Sequence, residues 1–403
     1  MSGPYEGIRV LELTSTVSGP FAGMMLADQG AEVIKVEPPG IGDLARFMGT
    51  IKDGMGAMFS TLNRNKKCIC LDFKNEEDLS VLKELVSTTD VLIENYRPGI
   101  VKKLGIDYES LSQINPDLIY CSISGYGQSG PYKEKKVYDP LIQGTVGIPH
   151  AQNIKSPELI RTIIYDKVTG LTSAQAISAA LYQKAKGEGG QYLPISMMES
   201  ALYYNWPDLM MNHTFDEGGI NLGELADLFE VYETKDGGVV LIIIASDEVF
   251  SKFCNVFDLS LHLDEKYNNL VSRIMNKEEL TTEINKVTKQ LSCKDLESKM
   301  DLEGISASIC NELHEVHKDP QIIEQGSIVE INHPELGVMR MPKPPANLKG
   351  QSSFPRSLAP ILGHDNREVL TSINIDTGII QRMEDREKQN REMLASLMQA
   401  TEE

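Results

Sequence analysis

The feature that most constrains this chain is an alternation running through residues 1–205. Short β-branched runs are each followed by a helical pattern. "GIRVLELTS" (7–15) reads as a buried strand and "GPFAGMMLADQG" (19–30) as a helix with Gly30 as its stop. "AEVIKVEPP" (31–39) and "CICLDFK" (68–74) are the next two strands. "NEEDLSVLKELVSTT" (75–89) is a helix with Asn75 as its cap and acids in its first turn. "DVLIENY" (90–96) and "LIYCSISGYG" (118–127) supply two more strands. Strands alternating with helices predict a mostly parallel sheet covered on both faces, so the fold class is α/β.

The rhythm breaks at "NWPDLMMNHTFDEGGINLGELAD" (205–227), a polar, glycine-rich stretch that reads as a linker. "LFEVYETKDGGVVLIIIAS" follows as strand, Lys-Asp-Gly-Gly turn and strand. Residues 247–315 carry mostly amphipathic helical patterning, and 326–342 read as a second hairpin. The stretch 343–360 is Pro/Ser-rich and extended, and 379–403 is a charged helix. The expected division is a large domain at 1–205, a linker with a glycine loop at 206–227, a smaller α+β domain at 228–325, and a C-terminal segment at 326–403 that returns to the large domain.

Composition excludes some classes of function. The formal net charge of −19 argues against a nucleic-acid partner, which needs a basic face. A phosphorylated ligand would need a local basic patch. No apolar run is long enough to span a bilayer, and the start "MSGPYEGIRV" does not read as a signal peptide. The six cysteines, at 68, 70, 121, 254, 293 and 310, form no CxxC pair. They read as reduced core residues, so a cytoplasmic, membrane-free setting is expected.

Several motifs fall to a plain reading. "GYGQSG" (125–130) matches GxGxxG after a strand, but Pro131 and "YKEKK" follow where a dinucleotide site needs a helix. It reads as a turn. No GxxxxGK[ST] or GxSxG occurs, so neither a P-loop nor a serine nucleophile elbow is present. His314 and His317 lack a third ligand at a recognisable spacing, so no metal is expected. Basic clusters at "NRNKK" (63–67), "KK" (102–103) and "KEKK" (133–136) sit near the sheet, where open α/β folds bind ligands at strand C-termini. On the residues alone, solvated loops are the favoured reading of these clusters.

Asp166, in "RTIIYDKVTGLTSAQAISAALYQKAKGEGGQ" (161–191), opens an Ala-rich helix. As an N-cap it would accept from the N–H of Val168 or Thr169. It could equally be a nucleophile. The two roles are compatible, because a helix N-terminus keeps a carboxylate ionised.

Five motifs then occur in order: "GIRVLELTSTVSGPFAGMMLADQGAEVIKVEPPGIGD", "NRNKKCICLDFK", "DVLIENYRPGIVKKLGIDYESLSQINPDLIYCSISGYGQSGPY", "YDKVTGLTSAQAISAAL" and "PILGHDNREVL". Together they resemble the family III CoA-transferases, the group containing formyl-CoA transferase, carnitine CoA-transferase and α-methylacyl-CoA racemase. The resemblance is dense to residue 205 and thinner beyond it. It implies a large Rossmann-like domain, a small domain, and linkers that make each subunit a ring, two of which interlock as a homodimer. It implies no permanently bound cofactor, with coenzyme A and acyl-CoA as substrates and a carboxylic acid as the second partner.

The resemblance also assigns residues. Asp166 in "YDKVTG" matches the family's catalytic aspartate, which carries CoA as an aspartyl thioester. CoA contacts fall at Val17, Ser18, Leu71, Asp72, Phe73, Lys74, Asn95, Tyr96, Arg97, Lys103, Lys136, Val137, Tyr138 and Asp139. The loop "DEGGINLG", with Gly218, Gly219 and Gly223, matches the substrate loop. Three departures stand out. Val17 replaces the glutamine of formyl-CoA transferases, so a donor there must be backbone. The formyl-CoA transferase run of consecutive glycines followed by Gln is missing, which speaks against oxalate and formate. Pro38 replaces an arginine on the adenosine side. The racemase alternative needs two bases, but Tyr138 stands where racemases carry histidine and Ser246 near the position of their glutamate. A non-catalytic CoA-binding protein, the third alternative, would not need Asp166.

Overall fold

The computed structural model describes residues 3–153, 155–221, 223–333, 336–346, 348–349 and 355–400, with side chains as far as residue 393. The chain divides into two compact units. One comprises Met1–Tyr204 with Gly326–Glu403, and the other Asn205–Gln325.

The first unit is built on six strands: β1 (Arg9–Leu13), β2 (Glu32–Glu37), β3 (Lys66–Cys70), β4 (Val91–Glu94), β5 (Ile119–Ser124) and β6 (Gln191–Ser196). They form one sheet in the order β3-β2-β1-β4-β5-β6, and every pairing is parallel. The order reverses direction between β1 and β4. In open α/β sheets that reversal opens a crevice at the strand C-termini, and ligands bind there.

Four helices matter for the site: α1 (Ser18–Asp28), α2 (Glu76–Ser87), α3 (Asp139–Thr145) and α4 (Ile164–Ala185). Neighbouring strand residues point to opposite faces. Leu11, Ile34 and Ile69 therefore pack on one side with Val81, Leu82 and Leu85 of α2. Val10, Val33 and Ile93 pack on the other with Leu26 of α1 and Ala174, Ile177 and Ala180 of α4. Burial on both faces explains why these strands read as continuous apolar runs. Asn75 caps α2, accepting from the N–H of Glu77 and Asp78, as the sequence predicts.

The alternation did not disclose β6. Pro194 interrupts its pattern, and a proline lacking an N–H is tolerated there because β6 is an edge strand. β3 begins at Lys66 and ends at Cys70, so residues 71–74 are a turn rather than strand. β4 likewise ends at Glu94 and frees Asn95 and Tyr96.

The second unit contains an antiparallel sheet of β7 (Glu230–Glu233), β8 (Gly238–Leu241) and β9 (Ala307–Ile309) in the order β9-β8-β7. Helices α5 (Asp247–Val256), α6 (Lys277–Thr288) and α7 (Cys293–Leu302) supply its core, where Phe250, Phe253, Ile284 and Leu296 meet Tyr232 and Val239. β9 corrects the helical reading of 247–315, three residues being too few to show a period of two. The expected linker is also partly helical. A helix at Met197–Leu209 runs past Pro207, and 3-10 turns lie at Met211–His213 and Leu225–Leu228.

In the first unit, β10 (Ile328–His333) and β11 (Gly337–Pro342) form the predicted hairpin. The predicted extended stretch 343–360 lies partly outside the described residues. The last helix, α8 (Thr377–Ala400), buries Ile380 and Met383 in the same core as Leu71 and Val81. Among the described residues no helix is long and apolar enough to cross a membrane.

Candidate active site

The start of α1 and the first turn of α4 meet beside the switch point. Their approach depends on Gly170. A Cβ there would lie 2.8 Å from the Ser18 carbonyl oxygen and 2.9 Å from the Phe21 ring. Asp166 is the third residue of α4, and the N-cap position belongs to Ile163, which makes no side-chain cap. This corrects the reading of Asp166 as an N-cap. The capping carboxylate comes from Asp139, the first residue of α3. Its Oδ2 accepts from the N–H of Tyr165 and, at 3.1 Å, from the N–H of Asp166. Its Oδ1 accepts from Gln143 at 2.6 Å.

Freed from capping, the Asp166 carboxylate sits beside the hydroxyl and backbone N–H of Ser18, the first residue of α1, which favour its charged form. Burial pushes its pKa up and the nearby Asp139 carboxylate adds to the rise. The Ser18 hydroxyl and N–H oppose them, and the balance lies at about 6. Asp166 is therefore a desolvated carboxylate that is still ionised at neutral pH, a suitable state for a nucleophile.

The turn that presents Ser18 is fixed from below by buried charges. Lys35 Nζ lies 3.0 Å from Glu12, 2.8 Å from Asp43 and 2.8 Å from the Thr14 carbonyl oxygen. Asp43 in turn accepts from the N–H of Thr16 at 2.9 Å, and Thr16 is held at a φ of 71°, a left-handed conformation costly for a β-branched residue. Asn95 clamps the same turn from β4, accepting from the N–H of Ser15 and donating to its carbonyl oxygen at 3.0 and 2.9 Å. Lys66 reaches the other Glu12 oxygen at 2.8 Å. Burial works to raise the Glu12 carboxyl, and Lys66 with Lys35 overcomes it, leaving it below the ordinary carboxylate range. Burial lowers Lys66, against the pull of Glu12, to about 8. Breaking such a buried pair by removing one partner costs about 3–5 kcal/mol.

Asp166 opens onto a cavity of about 280 Å³ lined also by Ser15, Thr16, Ser18, Asn95, Tyr96, Arg97, Lys133, Lys135, Val137, Tyr138 and Met197. A second cavity, of about 240 Å³, is lined by Pro38, Leu71, Asp72, Phe73, Lys74, Tyr96 and Leu104. Tyr96 borders both. Its ring lies 6.5 Å from that of Phe73 at 55°.

The predicted residues distribute unevenly. Ser18, Asn95, Tyr96, Arg97, Val137 and Tyr138 line the cavity of Asp166, and Leu71, Asp72, Phe73 and Lys74 line the second. Val17 is buried, and its carbonyl oxygen accepts from Phe21 within α1. The donor that the turn offers Asp166 is Ser18, the next residue along. Asp139 is buried with its carboxylate committed to α4 and Gln143, so it faces the protein. Lys103 and Lys136 are exposed and line neither cavity. Gly218, Gly219 and Gly223 all take left-handed φ values, in the second unit. Sequence reasoning did not single out Lys133 and Lys135, although the "KEKK" cluster held the signal. Nor did it single out Ser15, Thr16 or Met197. His314 is exposed beside Glu312 and Glu315, and among the described residues no group of three His, Cys, Asp or Glu side chains is arranged for a metal. "GYGQSG" is a turn, with left-handed Gly127 and Gly130 and no helix opening at it.

A parallel sheet in this strand order, with a crevice at its reversal and a cavity there lined by Arg97, Lys133, Lys135 and Asp166, defines an open α/β protein with a site for a charged ligand. The family model described as CoA-transferase family III matches residues 5–366. A succinyl-CoA:glutarate CoA-transferase of Mus musculus is 31% identical over 391 residues, covering 94% of this chain and 89% of the relative. A succinate–glutarate CoA-transferase of Agrobacterium fabrum is 33% identical over 390 residues, covering 92% and 96%. The crystal structure of a CaiB/BaiF family protein from Brucella suis has a TM-score of 0.81 at 30% identity, covering 93% of this chain and all of that one. The chain belongs to CoA-transferase family III and is a CoA-transferase, with coenzyme A and its thioesters as substrates.

Proposed function

We propose that the enzyme moves CoA from an acyl-CoA donor to a carboxylic acid through a thioester on Asp166. The observation that carries this is a carboxylate, raised by burial and set beside the Ser18 hydroxyl and N–H, in the wall of a cavity that Arg97, Lys133 and Lys135 also line. The Asp166 carboxylate attacks the donor thioester carbonyl, and the collapse of the tetrahedral adduct releases CoA thiolate and leaves a mixed anhydride. The thiolate then attacks the aspartyl carbonyl, giving an Asp166–CoA thioester and the donor acid. The acceptor carboxylate attacks that thioester, and the thiolate returns to the acceptor's acyl carbon, restoring Asp166. Each step exchanges one acyl bond for another of similar energy, so no ATP is consumed.

Each tetrahedral adduct places charge on an oxygen. In this reading the Ser18 hydroxyl and N–H, at the positive end of α1, stabilise it. The thioester end of CoA occupies the cavity of Asp166, and its nucleotide end the cavity beyond Tyr96. Arg97, Lys133 and Lys135 offset the repulsion between CoA phosphates and an acidic protein.

Succinyl-CoA and a dicarboxylic acid are the proposed pair, supported by the names of relatives from Mus musculus, Agrobacterium fabrum and Chloroflexus aurantiacus. The resemblance assigns Gly218, Gly219 and Gly223 to the acid. The resemblance further supports a homodimer of interlocked rings. Six free cysteines fit a cytoplasmic setting.

An exchange assay tests the reading. Succinyl-CoA is supplied with glutarate, D-citramalate, malate or oxalate, and new CoA esters are read by mass spectrometry. Transfer to a dicarboxylate that falls at least about 10³-fold in Asp166→Ala, with CoA binding retained, is the expected result. Unchanged exchange in that variant would refute it.

A further inference from the structure

The C-terminal helix α8 reaches the wall of the second cavity through one buried carboxylate. Asp78, in the first turn of α2, is 3% exposed. Its Oδ2 accepts from the N–H of Asp72 at 2.8 Å, and its Oδ1 accepts from the guanidinium of Arg386 on α8. One turn earlier on α8, Arg382 holds the neighbouring Glu77 at 2.5 Å.

The turn held in this way is a compact one. Asp72 Oδ1 accepts from the N–H of Lys74 at 2.9 Å, and the Asp72 carbonyl oxygen from the N–H of Asn75 at 2.8 Å. Asp72, Phe73 and Lys74 all line the second cavity, and Asp78 is what fixes the N–H at its start. Ile380 and Met383, on the same helix as Arg386, pack in one core with Leu71. A buried carboxylate keeps its geometry only while its charge is matched. Arg386 is the side chain that matches it from outside α2.

We infer that α8 is a positioning element for the nucleotide end of coenzyme A, acting from Arg386 through Asp78 onto residues 71–74. This rests on the proposed CoA site. CoA is long, and its thioester must reach Asp166. Its adenine then belongs in the cavity on the far side of Tyr96, against the paired Phe73 and Tyr96 rings, with Lys74 at hand for phosphate. Arg386 touches none of the reacting atoms, so its loss should weaken CoA binding and spare the chemical step.

The test titrates CoA and adenosine 3′,5′-bisphosphate into the wild-type protein, Arg386→Gln, Arg386→Lys and Asp78→Asn, and measures turnover with acyl-CoA and with the matching acyl-pantetheine, which lacks the nucleotide. Arg386→Gln should raise both dissociation constants about tenfold and KM for acyl-CoA in step. It should leave kcat and acyl-pantetheine turnover within about twofold, and Arg386→Lys should recover part of the loss. If Arg386→Gln does not fold, Asp78→Asn carries the same expectation. Unchanged dissociation constants, or equal losses with acyl-CoA and acyl-pantetheine, would overturn the inference. A wild-type protein that traps CoA on Asp166 yet ignores the bisphosphate would overturn it and leave the transfer reading standing. A protein that does not bind CoA would overturn both.

Discussion

Ser18 and Asp166 lie 148 positions apart and meet in one cavity wall where two helices begin: the hydroxyl and N–H that open α1 favour the charge on the carboxylate in the first turn of α4. The protein thereby lowers the pKa of a group that burial has raised, and directs two donors at the place where charge develops. Four consequences can be measured.

Ser18→Ala removes the hydroxyl and keeps the N–H. Hydrogen bonds to charged groups contribute about 1.5–3 kcal/mol, so kcat/KM should fall about 10–100-fold. The wild-type profile should lose activity as pH falls through about 6, where Asp166 takes up a proton. In the variant that acid limb should move up by about one unit. A pH–rate series on both proteins checks this.

Asp139→Asn should move the limb the opposite way. Asparagine still accepts from the N–H of Tyr165 and Asp166, but the charge that raises Asp166 is gone. The limb should move down by up to about one unit, with a stability loss of about 1–3 kcal/mol, because the new amide NH2 would face the donating Nε2 of buried Gln143.

Gly170→Ala should push α1 away from α4, because the new methyl would meet the Ser18 carbonyl oxygen, which is backbone. A loss of about 1–3 kcal/mol in stability is expected. The fall in kcat should exceed the rise in KM, as steady-state kinetics on the folded variant would report.

Glu94, at the end of β4, is a buried carboxyl that burial raises to about 7, against the pull of the Ser122 hydroxyl and a hydrogen bond from the Tyr96 N–H. The native state therefore binds a proton that the unfolded chain releases at lower pH. Stability from this group is present below its unfolded pKa and lost as pH rises through about 7. Glu94→Gln should flatten that decline, a difference of up to about 3 kcal/mol between pH 5 and pH 8. Urea midpoints at the two pH values measure it.

Much of the large unit was legible because its strands are buried on both faces. Leu11 and Val10 serve opposite cores, so their apolar run had no other reading. β6 escaped because Pro194 occupies an edge where a missing N–H costs little, and β9 because three residues carry no period. Within the site, Asp166 was visible as an acid opening a helix, yet its local role was misassigned. The cap comes from Asp139, 27 positions earlier, and no local pattern reports a contact between separate helices. Ser18 was marked by resemblance, but its place beside Asp166 follows from a close approach of two helices. The one trace of that approach in the sequence was Gly170, a glycine inside a helix. Arg386 looked like one charge among many, because the buried Asp78 it serves lies 308 positions away.

The central claim is that Asp166 itself carries CoA. The enzyme is incubated with an acyl-CoA donor and no acceptor, quenched with hydroxylamine, digested and examined by mass spectrometry. The account predicts a hydroxamate on the side chain of Asp166, absent from protein that has seen no donor. Unmodified Asp166 in an enzyme that turns over normally once acceptor is added, or an adduct on another residue, would contradict it.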